Sequence, residues 1–192
     1  MAKIHQKPDT MLYPLPAVMV SCGETPEEYN IITISWTGTI NSDPPMCSIS
    51  IRPERLSYDI IKRTGEFVIN LTTEELAKAT DWCGCRSGRK YNKWKEMNLT
   101  PAQAKVVKAP IIEESPGHIE CRVKDILELG THHMFIAEVV NFSVDDKYID
   151  KDNAFDFSKA LPLVYSHGHY FEMGKEIGKF GWSVEKKTNT SE

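Results

Sequence analysis

Polar side chains recur at alternate positions in two neighbouring segments of the chain that are rich in β-branched residues. They are Thr33, Ser35 and Thr37 in the first segment, and Ser48, Ser50 and Arg52 in the second. Because residues two apart on a strand point to the same face, each segment is predicted to present these groups from one face. Hydroxyls and a guanidinium suit a polyhydroxylated, phosphorylated ligand better than an apolar core. The indole of Trp36 is then available to pack against a flat ring.

The composition narrows the classes of partner and compartment. The chain has 192 residues, a formal net charge of −4 and no basic block, so nucleic acid is not an expected partner. Its first ten residues lack the apolar core of a signal peptide, and no apolar run approaches the length of a membrane span. The five cysteines are odd in number and scattered, which is typical of free thiols in a reducing compartment. We therefore expect a cytoplasmic protein without a membrane partner.

The elements that must position the polar side chains are mostly strands. Strands are predicted over 13–22, 31–37, 46–52, 66–71, 119–129 and 134–144, with one short strand between 101 and 116 and another at 163–165. Helices are predicted from Pro53 to near Gly65, from a capping box at Thr72 and Glu75 through Ala79, and over 92–97. Residues 83–89 read as a glycine-punctuated loop, and the segment from Lys151 as mostly irregular. Strands and helices do not alternate, so the chain is predicted to be mainly β: a β-barrel with short helices.

The start of the first predicted helix has features of a phosphate-binding site. Arg52 and Ser57 bracket this start, and a helix N-terminus offers free N–H groups and a positive dipole end. A solvent-facing arginine and an ordinary capping serine remain the alternative. No glycine-rich nucleotide fingerprint or P-loop lysine is present in the sequence.

The cysteines and histidines offer a metal or thiol alternative. Cys83 and Cys85 have neither redox nor zinc-knuckle spacing, and no second cysteine pair completes four ligands. Four histidines come in two pairs, at His132 and His133 and at His167 and His169. Because no suitably spaced carboxylate accompanies them, no metal site is assigned, and one histidine at a ligand rim is favoured.

Taken in order, these motifs resemble the flavin reductase-like family, and most closely its flavoredoxin-like branch. The resemblance covers roughly residues 11–183. The matching residues are Asn30, Thr33, Ser35 and Trp36, then Asp43, Pro44 and Pro45, then Ser48, Ser50 and Arg52, then Ser57 and Tyr58, the run 65–70, then Cys83, Gly84, Ser87, Gly88 and Arg89, then Lys93, then Gly130, Thr131, His132, Met134 and Phe135, and finally Gly174, Lys175, Ile177 and Gly178. The family fold is the FMN-binding split β-barrel. The expected domain is a single one over 1–192, with a frayed tail over 184–192.

The resemblance implies FMN bound non-covalently at a homodimer interface, with no metal. Ser35, Trp36 and Thr37 would lie along the isoalloxazine ring. Ser50, Arg52, Ser57 and Lys93 would hold the ribityl chain and the phosphate, while His132 and Tyr165 would close the ring site. The further cofactor-binding candidates are Thr33, Ile51 and Tyr58. His132 is the candidate at the flavin ring, although His133 leaves open which imidazole faces it.

Three functions follow as alternatives. The first is an oxidoreductase that uses NADH or NADPH to reduce flavin or a small acceptor. The second is a flavoredoxin-type electron carrier whose bound FMN takes electrons from a redox protein partner. The third, a metal or thiol protein without flavin, rests only on the cysteine and histidine clusters.

Overall fold

A curled, seven-stranded antiparallel sheet dominates the computed structural model, which describes residues 1–184. The strands of the described part are β1 Leu15–Pro16, β2 Val18–Cys22, β3 Asn30–Ile34, β4 Thr37–Ser42, β5 Pro45–Ile51, β6 Glu66–Asn70, β7 Pro101–Ala102, β8 Ile111–Ile112, β9 Gly117–Glu128, β10 His133–Val144, β11 Leu163–Ser166 and β12 His169–Glu172. The order in the main sheet is β3-β2-β6-β9-β10-β5-β4. β1, β11 and β12 form a smaller sheet, and β7 pairs with β8. The predicted mainly β class and split-barrel architecture are confirmed.

Within residues 1–184, three short α-helices accompany the sheet: α1 Leu56–Thr64, α2 Ala77–Cys85 and α3 Lys93–Glu96. Turns of 3₁₀ helix occur at Glu74–Leu76, Asp146–Tyr148, Phe157–Ala160 and Trp182–Val184. α1 ends at Gly65, whose φ of 69° lets its N–H reach the carbonyl of Ile61 at 2.8 Å. α3 is the helix predicted over 92–97, and Asn92 caps it by accepting a hydrogen bond from the Lys95 N–H at 3.2 Å.

The two faces of the sheet carry different helices. Val18, Val20 and Cys22 of β2 face a core that also contains Ile61 of α1 and Phe135 of β10. On the opposite face, Met19 of β2 and Ile31 of β3 contact a second apolar cluster with α2 and α3, built from Leu76, Ala79, Cys83 and Trp94. The edge strand β3 therefore lies between α1 on one face and α2 on the other.

The predicted strand over 31–37 is wrong, because the chain changes sheet edge inside it. β3 ends at Ile34, residues 35 and 36 form a bend, and β4 begins at Thr37. Since β3 and β4 are the two outermost strands of the main sheet, this bend links its opposite edges. The Ser50 N–H donates to the Trp36 carbonyl at 2.9 Å and holds the crossing against β5. The first of the two predicted rows, Thr33, Ser35 and Thr37, therefore does not lie on one strand face.

The predicted capping box is also wrong. The hydroxyl of Thr72 donates to the carbonyl of Ala17, and the helical segment begins with the 3₁₀ turn at Glu74. A tertiary hydrogen bond has replaced the local cap. α2 then continues to Cys85, so the predicted loop from Cys83 is helical for its first three residues.

The segment after Lys151 contains more strand than predicted. β11 and β12 form a hairpin, where the sequence predicts one short strand. Its turn uses positive φ angles of 49° at His167 and 82° at Gly168. Two short strands, β7 and β8, replace the one predicted between 101 and 116. The frayed tail predicted from residue 184 lies, apart from Val184, outside the described residues.

Candidate functional site

A cavity of about 370 Å³ opens where the two edges of the curled sheet approach each other. We call it the larger cavity, by comparison with the smaller cavity that adjoins it. Its walls come from the end of β3, the end of β5, the β9–β10 turn, α2 and the β11–β12 hairpin. The lining side chains with polar or aromatic groups are Thr33, Ser35, Trp36, Ser50, Arg52, Arg55, Asp81, Cys85, His132, Tyr165 and Tyr170.

The larger cavity meets β3 at its edge. Ile32, Thr33 and Ile34 all line it, although consecutive residues of a strand point to opposite faces. Within the described residues β3 pairs only with β2, so its other edge presents backbone N–H and C=O groups that no strand satisfies. A ligand along this edge therefore meets main-chain donors and acceptors.

A second cavity, of about 90 Å³, adjoins the larger one and is called the anion cavity here. Both cavities are lined by Ile32, Arg55 and Gly84. The start of α1 and the loop after α2 form most of its walls. Its further lining residues include Asn30, Glu54, Leu56, Ser57, Cys83, Arg86, Ser87, Gly88 and Lys93.

Positive charge and helix polarity concentrate in the anion cavity. α1 begins there, and among the described residues no side chain caps its N-terminus. Lys93 is only 4% exposed and donates from Nζ to the carbonyl of Cys83 at 2.6 Å. Burial is the main cause that lowers the pKa of Lys93 to about 8, and the charge of Arg55 contributes to this shift. A buried ammonium beside a helix N-terminus is a site for an anion such as phosphate.

Two side chains of β3 hold the walls of both cavities in place. Asn30 Nδ2 donates to Ser57 Oγ at 2.8 Å and so fixes the first turn of α1. The hydroxyl of Thr33 donates to the carbonyl of Thr80 at 2.5 Å and fixes α2. Gly84 lies directly over Thr33, where a Cβ would come within 3.2 Å of the threonine Cβ. A side chain at this position would have to displace Thr33 by a few tenths of an ångström, so the close approach of helix and strand favours glycine.

At the far end of the larger cavity, Trp36 and His132 form an aromatic pair. Their ring centroids are 4.4 Å apart, and Trp36 is 41% exposed. Partial burial lowers the pKa of His132, and the charges of Arg52 and Arg55 lower it further. The imidazole is therefore neutral at neutral pH.

The structure distinguishes the two adjacent histidines. His132 lines the larger cavity, whereas His133 Nδ1 lies 2.8 Å from the hydroxyl of Tyr58. Tyr58 is 5% exposed, and its ring also meets Phe135 edge-on at 5.4 Å. Tyr58 and His133 thus form a packed pair outside both cavities.

The predicted site residues divide into three groups. Eight line the larger cavity: Thr33, Ser35, Trp36, Ser50, Ile51, Arg52, His132 and Tyr165. Ser57 and Lys93 line the anion cavity, so the serine and the lysine lie apart from Arg52. Tyr58 and Thr37 line neither, because Tyr58 is in the core and Thr37 lies beyond the bend on β4.

Sequence reasoning missed several residues of the larger cavity. Asp81 Oδ1 accepts from the hydroxyl of Tyr170 at 3.3 Å and from the thiol of Cys85 at 3.9 Å. Burial raises the pKa of Tyr170 to about 12, and Asp81 contributes, so the phenol stays protonated. The spacing of Asp81 and Cys85 is that of neighbours on one helix face. That signal was hidden because the predicted helix ended at Ala79.

The cysteines of the described residues are all free, and four of the five are buried. Burial raises the pKa of Cys83 to about 11, so this thiol is not a nucleophile at neutral pH. Residues 1–184 contain no cluster of three or more histidine, cysteine, aspartate or glutamate side chains placed to hold a metal ion. No helix in this described range is long and apolar enough to cross a membrane.

Comparison with known proteins identifies the family. Residues 10–174 match the flavin reductase like domain. The chain belongs to this family. It is also 32% identical over 160 residues to an uncharacterized protein of Archaeoglobus fulgidus, which covers 83% of this chain and 88% of the relative.

Solved structures agree with this assignment. The flavoredoxin of Desulfovibrio vulgaris (Miyazaki F) superposes with a TM-score of 0.89 at 26% identity, covering 96% of this chain and 100% of that one. A flavoredoxin from Methanosarcina acetivorans gives a TM-score of 0.86 at 25% identity with the same coverage. The predicted family is confirmed, and with it a flavin-related redox role.

The residues present fit a flavin. The larger cavity offers an aromatic pair, hydroxyls and an open strand edge, which suit a flat ring and a polyhydroxylated chain. The anion cavity beside it offers Lys93, Ser57 and a helix N-terminus, which suit a phosphate.

Gly88 provides a test of the packing of the anion cavity. A Cβ at this position would lie 2.1 Å from Asn30 Oδ1, so Gly88→Ala must displace the amide that holds Ser57. We expect the free energy of unfolding, measured by urea denaturation, to fall by about 1–3 kcal/mol. Gly38→Ala is the matched control, because a Cβ there meets nothing within 4 Å. Equal effects of the two substitutions would contradict the packing described.

Proposed function

We propose that the chain binds one FMN without a covalent bond and works as a flavin-dependent oxidoreductase. The observation that carries this proposal is the continuity of the two cavities at Ile32, Arg55 and Gly84. It sets an anion site beside a ring-sized space, in the order in which FMN carries its phosphate and its ring. The phosphate would lie against Ser57, Lys93 and the N-terminus of α1.

The residues of the chain would bind and orient the cofactor. Bound flavin supplies the hydride and single-electron chemistry, and the protein supplies position and electrostatics. The free edge of β3 offers hydrogen bonds to the ribityl and ring edges. Trp36 and His132 form the wall at one end of the ring space. Arg52 adds positive charge there, which favours a reduced flavin that carries negative charge.

The reaction proposed first is reduction by a nicotinamide, with flavin or a small molecule as the acceptor. We expect NADH or NADPH to bleach the visible absorbance of the FMN-loaded protein in anaerobic stopped-flow experiments. A hydride donor needs one open face of the ring, and the exposed Trp36 lies at the open end of the cavity. Failure of both nucleotides at millimolar concentration would contradict the reductase function.

The second candidate is an electron carrier with bound FMN. The likeness to two flavoredoxin structures favours it. A redox protein partner would then exchange electrons at the open end of the larger cavity, beside Trp36. Reduction by a reduced ferredoxin, together with no reduction by NADH or NADPH, would establish the carrier in place of the reductase.

A homodimer is proposed on the basis of exposed apolar surface next to the site. A cleft of about 480 Å³ lies beside the larger cavity, and both are lined by Trp36 and Ser50. Met11 and Leu12 of this cleft are 61% and 82% exposed, and β4 is an exposed edge strand. Light scattering of the FMN-loaded protein tests the oligomeric state. The cytoplasmic location remains a prediction.

Lys93→Met tests the phosphate position. The substitution keeps the buried aliphatic stem and removes the charge, so we expect FMN to bind about tenfold to a hundredfold more weakly. Riboflavin, which lacks the phosphate, should bind with unchanged affinity. Lys95→Met on the exposed side of α3 is the control. A parallel loss for FMN and riboflavin would mean that Lys93 acts on the ring site or the fold instead.

The pKa of Lys93 leads to a pH dependence. With a pKa of about 8 in the free protein, the ammonium is charged below that pH and a phosphate stabilises the charged form further. Above that pH the neutral amine of Lys93 must take up a proton when FMN binds. The dissociation constant for FMN should therefore rise with pH, by up to about tenfold per pH unit. Fluorescence titration between about pH 7 and about pH 9 measures this, since a phosphate monoester is already dianionic there. A flat profile, or the same profile for Lys93→Met, would contradict the assignment.

A further inference from the structure

The cleft of about 480 Å³ beside the larger cavity is lined mostly by apolar side chains, and we call it the apolar cleft. Its floor comes from β4, β5 and β10, and one wall comes from residues 9–15. The apolar side chains that line it are those of Met11, Leu12, Leu15, Trp36 and Met134. Because Trp36 and Ser50 also line the larger cavity, a molecule in the apolar cleft would reach the ring space.

Two serine hydroxyls of β5 face the apolar cleft. Cys47 and Ile49 face the core, so the alternate residues Ser48 and Ser50 point the other way and line the cleft. Ser48 is only 9% exposed, and neither serine hydroxyl has a hydrogen-bond partner among the described residues. A nearly buried hydroxyl without a partner is stabilised by a ligand that brings a hydrogen-bond acceptor.

The charge of the apolar cleft differs from that of the flavin site. Asp9 is the one charged residue in its lining, and no lysine, arginine or histidine of the described chain lines it. The carboxylate of Asp9 accepts a hydrogen bond from the Thr10 N–H at 2.6 Å and keeps its negative charge. The cleft therefore disfavours phosphates and carboxylates and suits an uncharged molecule.

The shape of the apolar cleft suits a flat ligand of one or two rings. Gly38 lies opposite Ser48 in the β4–β5 ladder, and a Cβ at Gly38 would meet nothing within 4 Å, so the floor is open there. The indole of Trp36 and the thioether of Met134 offer an aromatic and a polarizable surface to a ring. A cavity of about 480 Å³ is within the usual range for small-molecule sites.

We propose that the apolar cleft binds a small, uncharged quinone, which is the electron acceptor of the flavin site. This inference deepens the proposed function and rests on it. The quinone ring would contact Trp36 and Met134, and a quinone oxygen would accept a hydrogen bond from Ser48 or Ser50. The quinone takes a hydride from the reduced flavin and one proton from solvent. Both of its oxygens thereby become hydroxyls, and the flavin returns to its oxidised form.

The quinone and the proposed second copy of the chain use different parts of this region. The homodimer is proposed on the exposed rim at Met11 and Leu12, whereas the quinone is assigned to the floor at Gly38, Ser48 and Ser50. A second copy on the rim would close the cleft from water without filling its floor.

Calorimetric titration of the oxidised, FMN-loaded protein with menadione, an uncharged two-ring quinone, tests the cleft. Gly38→Leu places a side chain in the cleft without a clash at its Cβ. We therefore expect menadione to bind about tenfold more weakly or worse, and FMN affinity to stay within about twofold. Thr39→Leu is the matched control, because it adds a leucine to the same strand outside the cleft lining and should change neither affinity.

Two further titrations examine the polar groups of the cleft. Ser48→Ala removes a hydroxyl that has no partner in the described chain, so the fold should be kept while menadione binds about threefold to tenfold more weakly. A naphthoquinone sulfonate, which carries a negative charge, should bind at least about threefold more weakly than menadione, because Asp9 is the one charge in the lining.

Reoxidation of the flavin gives a second readout. The FMN-loaded protein is reduced with one equivalent of dithionite and mixed with menadione without oxygen. Menadione should restore the visible absorbance of oxidised flavin, and at limiting menadione the rate should fall about tenfold in Gly38→Leu. The Thr39→Leu control should react at the rate of the unmodified protein.

Each other outcome has a distinct meaning. Unchanged menadione affinity in both Gly38→Leu and Ser48→Ala would overturn the inference, and so would tighter binding of the sulfonate. A Gly38→Leu protein that loses its dimer in light scattering but binds menadione as before would assign the cleft to a second copy. Menadione binding to a protein that retains no FMN would leave the cleft in place but contradict the proposed function, and with it the role of the quinone as acceptor.

Discussion

The site depends on the anchoring of two helices to one five-residue edge strand. Asn30 of β3 holds the start of α1 through Ser57, and Thr33 holds α2 through the carbonyl of Thr80. These side chains leave opposite faces of β3, so the strand edge between them is open and faces the gap between the helices. A shift of β3 would move the helix N-terminus, the wall at Gly84 and the strand edge together. Two hydrogen bonds of β3 therefore set the positions of the helix N-terminus, the wall at Gly84 and the strand edge.

The crossing of the chain from β3 to β4 explains why the ring space exists at this place. The two outermost strands of the curled sheet are consecutive in sequence, and the bend at Ser35 and Trp36 joins them. Instead of completing a ladder between its edges, the sheet leaves an opening lined by main chain, Ser50 and Arg52. A flavin suits such an opening, because its ring edge carries donors and acceptors while its faces are apolar. The exposed indole of Trp36 lines this opening and is not a core residue displaced to the surface.

The sequence predicts which residues line the larger cavity more reliably than it predicts how they are arranged. Thr33, Ser35, Trp36, Ser50 and Arg52 all line the larger cavity, but they do so around a strand edge and a bend, not along one strand face. β-branched residues continue across the bend, so hydrophobic periodicity contains no sign of the change of edge. Ser57 and Lys93 lie 36 positions apart in the chain and meet only because of the way α1 and the loop after α2 fold onto β3.

Other residues carried no local signal that sequence reasoning could use. Tyr170 reaches Asp81 because a hairpin turns at His167 and Gly168, a pair that is not among the strongest hairpin signals. Gly84 looks like a loop residue in the sequence, yet it lies in α2, where a Cβ would come within 3.2 Å of the Thr33 Cβ. Thr72 has the spacing of a helix cap and instead donates to Ala17 across the fold. In each case a tertiary contact outweighs the local preference.

Reconstitution with FMN shows whether the anion cavity and the larger cavity together hold one phosphorylated flavin. Flavin-free protein is mixed with excess FMN, passed through a desalting column and examined by visible absorbance and flavin fluorescence. We expect one FMN to be retained per chain, with its fluorescence quenched by the neighbouring Trp36 and His132. Riboflavin, offered in the same way, should be retained less. A protein that emerges without FMN, or that retains riboflavin equally well, would contradict the proposed flavin site.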